Sequence, residues 1–406
     1  MRTGDLRIWK KLTPIFISEF ASIFYCIVFT PLGYILKDFP GQEKTVYLMV
    51  TLPGIAAMIG GFASAGLIQR MSSKSLVVGS IIMTIVGGFL IRFTGIRSLP
   101  VCIAGSALTG FASGVIPSAN LAALAEIAPG NLRDKVCGWT CVCSNLGFIV
   151  CNTIAGYSAA GGNWARAFNA TFVLLPVLFA AIIWYPSGKR SIPKAEADRD
   201  ARKRTVIQNG ERMPKCIIGL IVVKFLSAMF YMSLGLNASS YIINELGTGT
   251  SALVGNVTTV NKVVGLLVTM FLFLWLKAFK GASTAAAGIV MGVCTLTVAL
   301  VPGTVGFVAG YSLLNLGVNA YHAAQGTVVA MTPKGKYVGI ASGMFIGATY
   351  CGEALCAYVA PWTGKLLFGS DLPSAAIKAG GIFCILFGLI SYPFFREAYK
   401  KAFPGR

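Results

Sequence analysis

The chain has 406 residues, 55% of them hydrophobic and only 12% charged. A soluble domain carries about twice that charged share, so the composition excludes a chain built mainly of soluble domains. The formal net charge of +20 and the eleven cysteines are then read by where they fall.

A bilayer crossing takes about 20 apolar residues. Twelve runs qualify, at roughly 14–36, 46–69, 75–95, 99–126, 136–160, 167–186, 215–241, 251–276, 283–301, 304–331, 338–362 and 376–395. The expected fold class is an all-α membrane protein of twelve transmembrane helices. With the N-terminus inside and sides alternating, 25 of the 34 Lys and Arg fall on the inner side and 6 on the outer. Three more, Arg92, Lys224 and Lys262, lie within spans. This is the positive-inside pattern. The basicity is a topology signal, no nucleic-acid partner is expected, and both termini are predicted cytoplasmic. The start, MRTGDLRIWKK, is basic, but the apolar run behind it is span-length and lacks a small-residue cleavage pattern. No cleavable leader is expected. The cysteines all lie in or beside apolar runs without a CxxC pair, so they read as small hydrophobes. No disulfide framework and no metal site is expected.

In chain order, span 1 carries Glu19, Tyr25 and Pro31. Span 2 ends in the turn 65–74, with Arg70 and Lys74. Span 3 carries Arg92 near its outer end, where it is expected to snorkel to the interface. Span 4 runs through Gly110, Gly114 and Asn120 to Glu126. A charged corner holding Pro129 and Arg133 leads into span 5, where Gly138, Gly147 and Gly156 stand nine residues apart and Asn145 lies between. Residues 187–213 are polar and charged, a predicted basic cytoplasmic linker. They divide the chain into an N-terminal bundle, 1–186, and a C-terminal bundle, 214–406. Span 7 holds Lys224 and Tyr231, and span 8 holds Asn261 and Lys262. Span 10 holds Asn315, Asn319, His322 and Gln325. Span 11 holds Tyr350 and Glu353.

The pattern of spans 4 and 5 returns about 200 residues on. Gly317 answers Gly114, and Pro333 answers Pro129. Gly343 and Gly352 keep the step of Gly138 and Gly147, and Cys356 falls where Cys151 does. Several coincidences at nearly constant offset point to an internal duplication, as secondary transporters often carry.

Two sets of six spans about a basic loop resemble the major facilitator superfamily. The turn at 65–74 is similar to that family's G-x-x-x-D-R-x-G-R-R signature, with Arg70 and Lys74 in place and Ala65, Gln69, Ser72 and Ser73 departing from it. Gly110, Gly114, Pro117, Glu126, Pro129 and Arg133 fit the pattern G-x-x-x-G-x-x-P followed by E-x-x-P-x-x-x-R. Trp164 and Phe168 fit W-R-x-x-F, with the Arg displaced to 166. Gly138, Gly147 and Gly156 fit the span 5 antiporter signature G-x8-G-x3-G-P-x2-G-G, whereas Cys151, Asn152 and Ala155 replace its Gly, Pro and Gly. The missing Gly-Pro removes that signature's kink and weakens the reading as a drug exporter. The resemblance implies the major facilitator fold, two pseudo-symmetric six-helix bundles, and transport as the activity. It also makes Arg70, Lys74, Gly110, Gly114, Glu126, Arg133, Gly138 and Gly147 gate and signature positions.

A charge in the hydrocarbon core costs at least about 3 kcal/mol, so such a residue faces water, solute or a partner. Lys262 and Lys224 lie near mid-span and suit a carboxylate; the alternative is an internal lock, Lys262 with Glu353 for example. Glu353, Glu19 and His322 are the candidate proton carriers, set against interfacial, gate or packing roles. Asn120, Asn145, Asn315 and Asn319 either orient a solute or bond helices together. Tyr25, Tyr231 and Tyr350 either line a cavity or pack. No phosphate loop, HExxH or metal-spaced cluster occurs, so no enzyme, no catalytic residue and no cofactor is expected. The expected function is secondary transport of a small organic solute, an organic anion or carboxylate, by alternating access with proton symport or anion exchange. Proton-coupled efflux of amphipathic or cationic compounds is the alternative, and a non-transporting receptor of the same fold a remote one. The expected partners are the solute, the lipid bilayer, and protons or a counter-transported solute. The expected setting is a monomer, multi-pass in the cytoplasmic (plasma) membrane.

Overall fold

The computed structural model describes residues 3–94, 98–127, 130–186, 213–301, 303–333 and 336–403. The predicted linker, apart from Met213, and Pro129 lie outside them. The described residues are mostly helical, without a strand. The long helices are α1 (Thr3–Glu19), α2 (Leu48–Arg70), α3 (Ser73–Thr94), α4 (Leu99–Ile127), α5 (Gly130–Ala159) and α6 (Leu174–Trp184). There follow α7 (Lys215–Tyr231), α8 (Ser251–Met270), α9 (Ser283–Leu300), α10 (Thr304–Met331), α11 (Lys336–Phe368) and α12 (Pro373–Ala402).

Nine stretches among the described residues are long and apolar enough to cross a membrane. The chain is a multi-pass integral membrane protein. Helices α5, α10 and α11 are outside the nine although they run for 30, 28 and 33 residues. For α10 polar content is the physical reason, since it carries Asn315, Asn319, His322 and Gln325.

The first helix of each half is interrupted. α1 passes at Phe20 into a 3-10 stretch, Phe20–Phe29, before Pro31. α7 stops at Tyr231, a short helix follows at Ser233–Ser240, and a π turn spans Tyr241–Glu245. Breaks of this kind loosen the regular backbone ladder at membrane depth and mark hinges or binding regions. α5, which lacks an internal proline, runs unbroken as its sequence implies.

The chain forms two compact units. The first contains residues 1–190 with 242–259, and the second contains 191–241 with 260–406. In the first unit α4 lies against α2, where Gly110 faces the Pro53 backbone and Gly114 the Ala57 carbonyl. A Cβ at either glycine would collide with backbone, so small residues set the helix approach. Arg92 of α3 donates to Asn169 Oδ1 at 2.6 Å, which ties α3 to the 3-10 stretch Trp164–Val173 that leads into α6.

The segment 242–259 is bonded into this first unit. Lys37 Nζ donates to the Ile243 carbonyl (3.3 Å), Asn244 Nδ2 to the Gly33 carbonyl (3.1 Å), and Ser251 Oγ to the Gly156 carbonyl (2.8 Å). Thr153 and Thr259 share a hydroxyl contact of 2.8 Å.

In the second unit α9 meets α12 through Gly288 and Gly388. Gly317 packs on Ala287 and Met291 of α9. The proposed counterparts Gly114 and Gly317 thus face different neighbours. Gly147 and Gly352 face the same one: an added Cβ would sit 2.6 Å from the Phe20 carbonyl oxygen and 2.5 Å from that of Phe225. Both the glycines and the phenylalanines are 205 positions apart. The repeat read from the sequence therefore recurs as one helix crossing in each unit.

Candidate functional site

The crossing carries a further correspondence. Glu19 precedes Phe20, and Lys224 precedes Phe225. Ser22 Oγ donates to the Glu19 carbonyl at 2.7 Å, and Ser227 Oγ to the Lys224 carbonyl at 3.0 Å. Asn120 and Gln325 are also 205 positions apart. The same backbone place thus holds an acid in one unit and a base in the other.

In the first unit the acid is held by a neutral hydrogen-bond donor. Glu19 is 5% exposed, at the end of α1. Its Oε2 accepts from Asn120 Nδ2 at 2.5 Å. Asn120 Oδ1 accepts in turn from Ser18 Oγ (3.0 Å) and from the hydroxyl of Tyr185 (2.9 Å), just beyond α6. The buried amide of α4 is held from α1 and from the residue just beyond α6, and it holds the carboxyl group.

In the second unit the corresponding groups are unpaired. Among the described residues Lys224, 0% exposed, has no hydrogen-bond partner for its Nζ, and Gln325, also fully buried, has none for either amide atom. Three rings face the ammonium instead: Tyr231 at 5.3 Å, Tyr321 at 5.3 Å and Phe345 at 5.2 Å. A desolvated cation over a ring gains about 2 kcal/mol, a partial offset for burial.

Four sequence candidates on four helices converge here. Glu353 of α11 is half-buried and accepts a hydrogen bond from the Tyr231 hydroxyl. It lies in the field of Lys224 of α7 and Lys262 of α8. His322 of α10 is half-buried, lies in the field of the same two lysines, and sets its ring at 4.7 Å and 90° to that of Tyr231. Its Nε2 has no partner. Lys262 is half-buried. Its neighbour Asn261 accepts from the backbone N–H of Asn315 at 2.7 Å, which pins that turn of α8 to α10.

The other candidates are scattered. Asn319 Nδ2 lies 3.5 Å from Thr269 Oγ1. Tyr25 and Tyr350 are half-buried, as is Asn145, and Tyr25 sets its ring edge toward Phe29. Arg70 is exposed at the end of α2 and Lys74 is half-buried at the start of α3. The surroundings of Glu126, Arg133 and Gly138 lie outside what is described. Sequence reasoning gave no role to Tyr185, Asn261, Tyr321, Gln325 or Phe345. For Gln325 a signal existed, namely its distance of 205 positions from Asn120. No group of His, Cys, Asp and Glu able to hold a metal occurs among the described residues.

Chemically, the second unit offers two lysines within electrostatic reach of one carboxyl group and one imidazole, and a tyrosine that touches Lys224, Glu353 and His322. That set can attract an anion and carry a proton, and it contains no nucleophile with an activating base.

No curated protein matches the chain in sequence. Solved structures do match in fold. A D-xylose–proton symporter superposes with a TM-score of 0.71 at 15% identity, covering 95% of this chain and 96% of that one. The inward-open xylose transporter XylE from E. coli gives 0.71 at 14% identity, with 95% and 96% covered. A POT family transporter in complex with 5-aminolevulinic acid gives 0.73 at 13%, with 95% and 96% covered. The family profile for the Major Facilitator Superfamily matches residues 12–321. The chain is a transporter rather than an enzyme, and it belongs to the Major Facilitator Superfamily.

Proposed function

We propose that this transporter moves a small organic anion, a carboxylate, by alternating access with proton symport or anion exchange. The observation that carries the reading is the convergence of Lys262, Lys224, Glu353 and His322 in the second unit. Two cations against one carboxylate leave the cluster one positive charge in excess while Glu353 is ionised and His322 neutral. A monoanion balances that charge, and a proton on Glu353 strengthens the attraction. Half-buried Lys262 is the first contact for the anion. Tyr350, Asn319, Asn145 and Tyr25 are the proposed orienting groups, and Arg70, Lys74, Glu126 and Arg133 the gate positions. Two neighbours support the reading by their names, one a proton symporter and the other holding a small organic acid. The proposed setting is a monomer with twelve crossings, divided at 187–213, both termini cytoplasmic, in the plasma membrane.

Proton-coupled efflux of amphipathic cations is the second reading. One observation favours it: Glu19, a buried acid held by the neutral donor Asn120.

The test is uptake of radiolabelled lactate, succinate and benzoate into proteoliposomes, beside efflux of a cationic dye. Acid-driven uptake of one of the three, lost in Lys262→Ala with dye efflux unaffected, is expected. Dye efflux lost in Glu19→Gln, with no acid carried by wild type, replaces the first reading with the second.

A further inference from the structure

Tyr231 touches every ionisable group of the second-unit cluster on its own helix, on α10 and on α11. Its ring covers Lys224 Nζ at 5.3 Å, its ring packs at a right angle on His322 at 4.7 Å, and its hydroxyl donates to Glu353. The equivalent place in the first unit, 205 positions earlier, is Cys26. The fold alone therefore does not require a tyrosine there. Tyr231 is also the last residue of α7, at the break before the short helix Ser233–Ser240. A side chain at a helix break has more freedom to reorient than one in mid-helix.

We propose that Tyr231 is a proton-released latch over Lys224, so that a proton on Glu353 opens a second anion contact. The inference rests on the anion-transport reading. While Glu353 is ionised, it accepts the Tyr231 hydroxyl and holds the ring across the ammonium. When Glu353 takes a proton from water, its carboxyl group becomes a donor and the charge-assisted bond from Tyr231 is lost. The ring is then free to swing, and Lys224 Nζ, fully buried and unpaired in the latched form, turns to a solute carboxylate. No covalent bond changes; one proton moves from water to Glu353, and it leaves when the anion leaves. The other charges facing Glu353 are Lys224 from α7 and Lys262 from α8. His322 joins them from α10 through Tyr231, and Cys384 of α12 lies beside Cys356, which in turn neighbours Glu353.

Tyr231→Phe keeps the ring and removes the latch. Infrared pH-difference spectra of the protein in liposomes, without added solute, report the carboxyl band that disappears in Glu353→Gln. In Tyr231→Phe that band is expected to titrate about one pH unit higher, because a hydrogen bond to the ionised form is gone. Uptake of lactate, succinate and benzoate is expected to become less dependent on pH, with the KM at pH 8 falling severalfold toward its value at pH 6, while the charge of Glu353 itself keeps the remainder. An unmoved band and an unchanged pH profile in Tyr231→Phe overturn the latch while leaving anion transport intact. If wild type carries none of the three acids, the functional reading fails instead, and the infrared shift still decides whether Tyr231 governs the proton on Glu353. Tyr231→Leu, which removes ring and hydroxyl, is the control for folding. Loss of protein in Leu but not in Phe assigns the ring to stability and leaves the hydroxyl test intact.

Discussion

Glu19 and Lys224 occupy the same place in the two halves of the chain with opposite charge. Each stands one residue before a phenylalanine whose carbonyl meets a glycine, and each has its own carbonyl capped by a serine three residues on. Their surroundings differ in kind. Glu19 is bonded by an amide, whereas Lys224 is ringed by aromatics with no hydrogen bond among the described residues. A lysine so held is an energetic liability that a purely structural site would discard.

Lys224→Met tests that liability. Replacing a buried ion by an apolar residue of similar volume is often neutral or stabilising by about 1–4 kcal/mol. The methionine variant is expected to melt at or above the wild-type temperature and to lose at least about tenfold in anion uptake. A variant that melts well below wild type and carries anion at the wild-type rate makes Lys224 a packing residue.

The sequence carried more of this site than of its geometry. Charges inside apolar runs are legible because hydrocarbon makes them expensive, and that argument found Glu19, Lys224, Lys262 and Glu353, with His322 beside them as the one histidine. It also implied the two-bundle family through Gly110, Gly114 and the turn residues. What it could not supply is helix rotation. Whether Lys224 meets solute or rings depends on how α7 is turned, and nothing in a uniformly greasy helix fixes that. Tyr321 and Phe345 look like ordinary core residues until the rotation is known. Gln325 was recoverable, since extending the offset of 205 from the glycines to their neighbours pairs it with Asn120. The polar residues that build the site also blur the span count, because α10 loses apolarity through them.

The pH dependence follows from charge. Protonating Glu353 removes the negative charge that Lys224 and Lys262 feel, leaving two cations for the solute. Anion affinity is therefore expected to rise as pH falls, and the KM for uptake to drop. Glu353→Gln fixes the neutral form. It is expected to bind anion at all pH values, to support exchange of anion for anion, and to lose accumulation driven by a proton gradient. Proton-driven accumulation that persists in Glu353→Gln moves the coupling to Glu19 or His322.

The repeated crossing gives a paired stability test. An added methyl at Gly147 or Gly352 meets backbone oxygen at 2.6 or 2.5 Å, and backbone yields less readily than a side-chain end. Gly147→Ala and Gly352→Ala are each expected to cost about 1–3 kcal/mol, read as a lowered melting temperature in detergent. Gly41, with a positive φ of 78° and open space around it, separates the mechanisms, because Gly41→Ala is strained by backbone rather than by contact. Equal tolerance of alanine at all three positions contradicts the close approach.

The segment 242–259 offers a way to ask whether transport needs it to move. It is held to the first unit by Ser251 on Gly156, by Asn244 on Gly33 and by the hydroxyl pair Thr153–Thr259. A cycle that moves this segment breaks and reforms these bonds, while a static strut keeps them throughout. Hydroxyl oxygens 2.8 Å apart put the two Cβ atoms within about the span of a disulfide. Thr153→Cys with Thr259→Cys, oxidised in proteoliposomes, is expected to arrest uptake by at least about tenfold and to recover with dithiothreitol. Each single cysteine variant, treated alike, controls for the native thiols and is expected to keep transporting. An oxidised double variant, with its crosslink verified by mass spectrometry, that still transports at the wild-type rate shows that these bonds persist through the cycle. The moving seam must then be sought elsewhere in the chain.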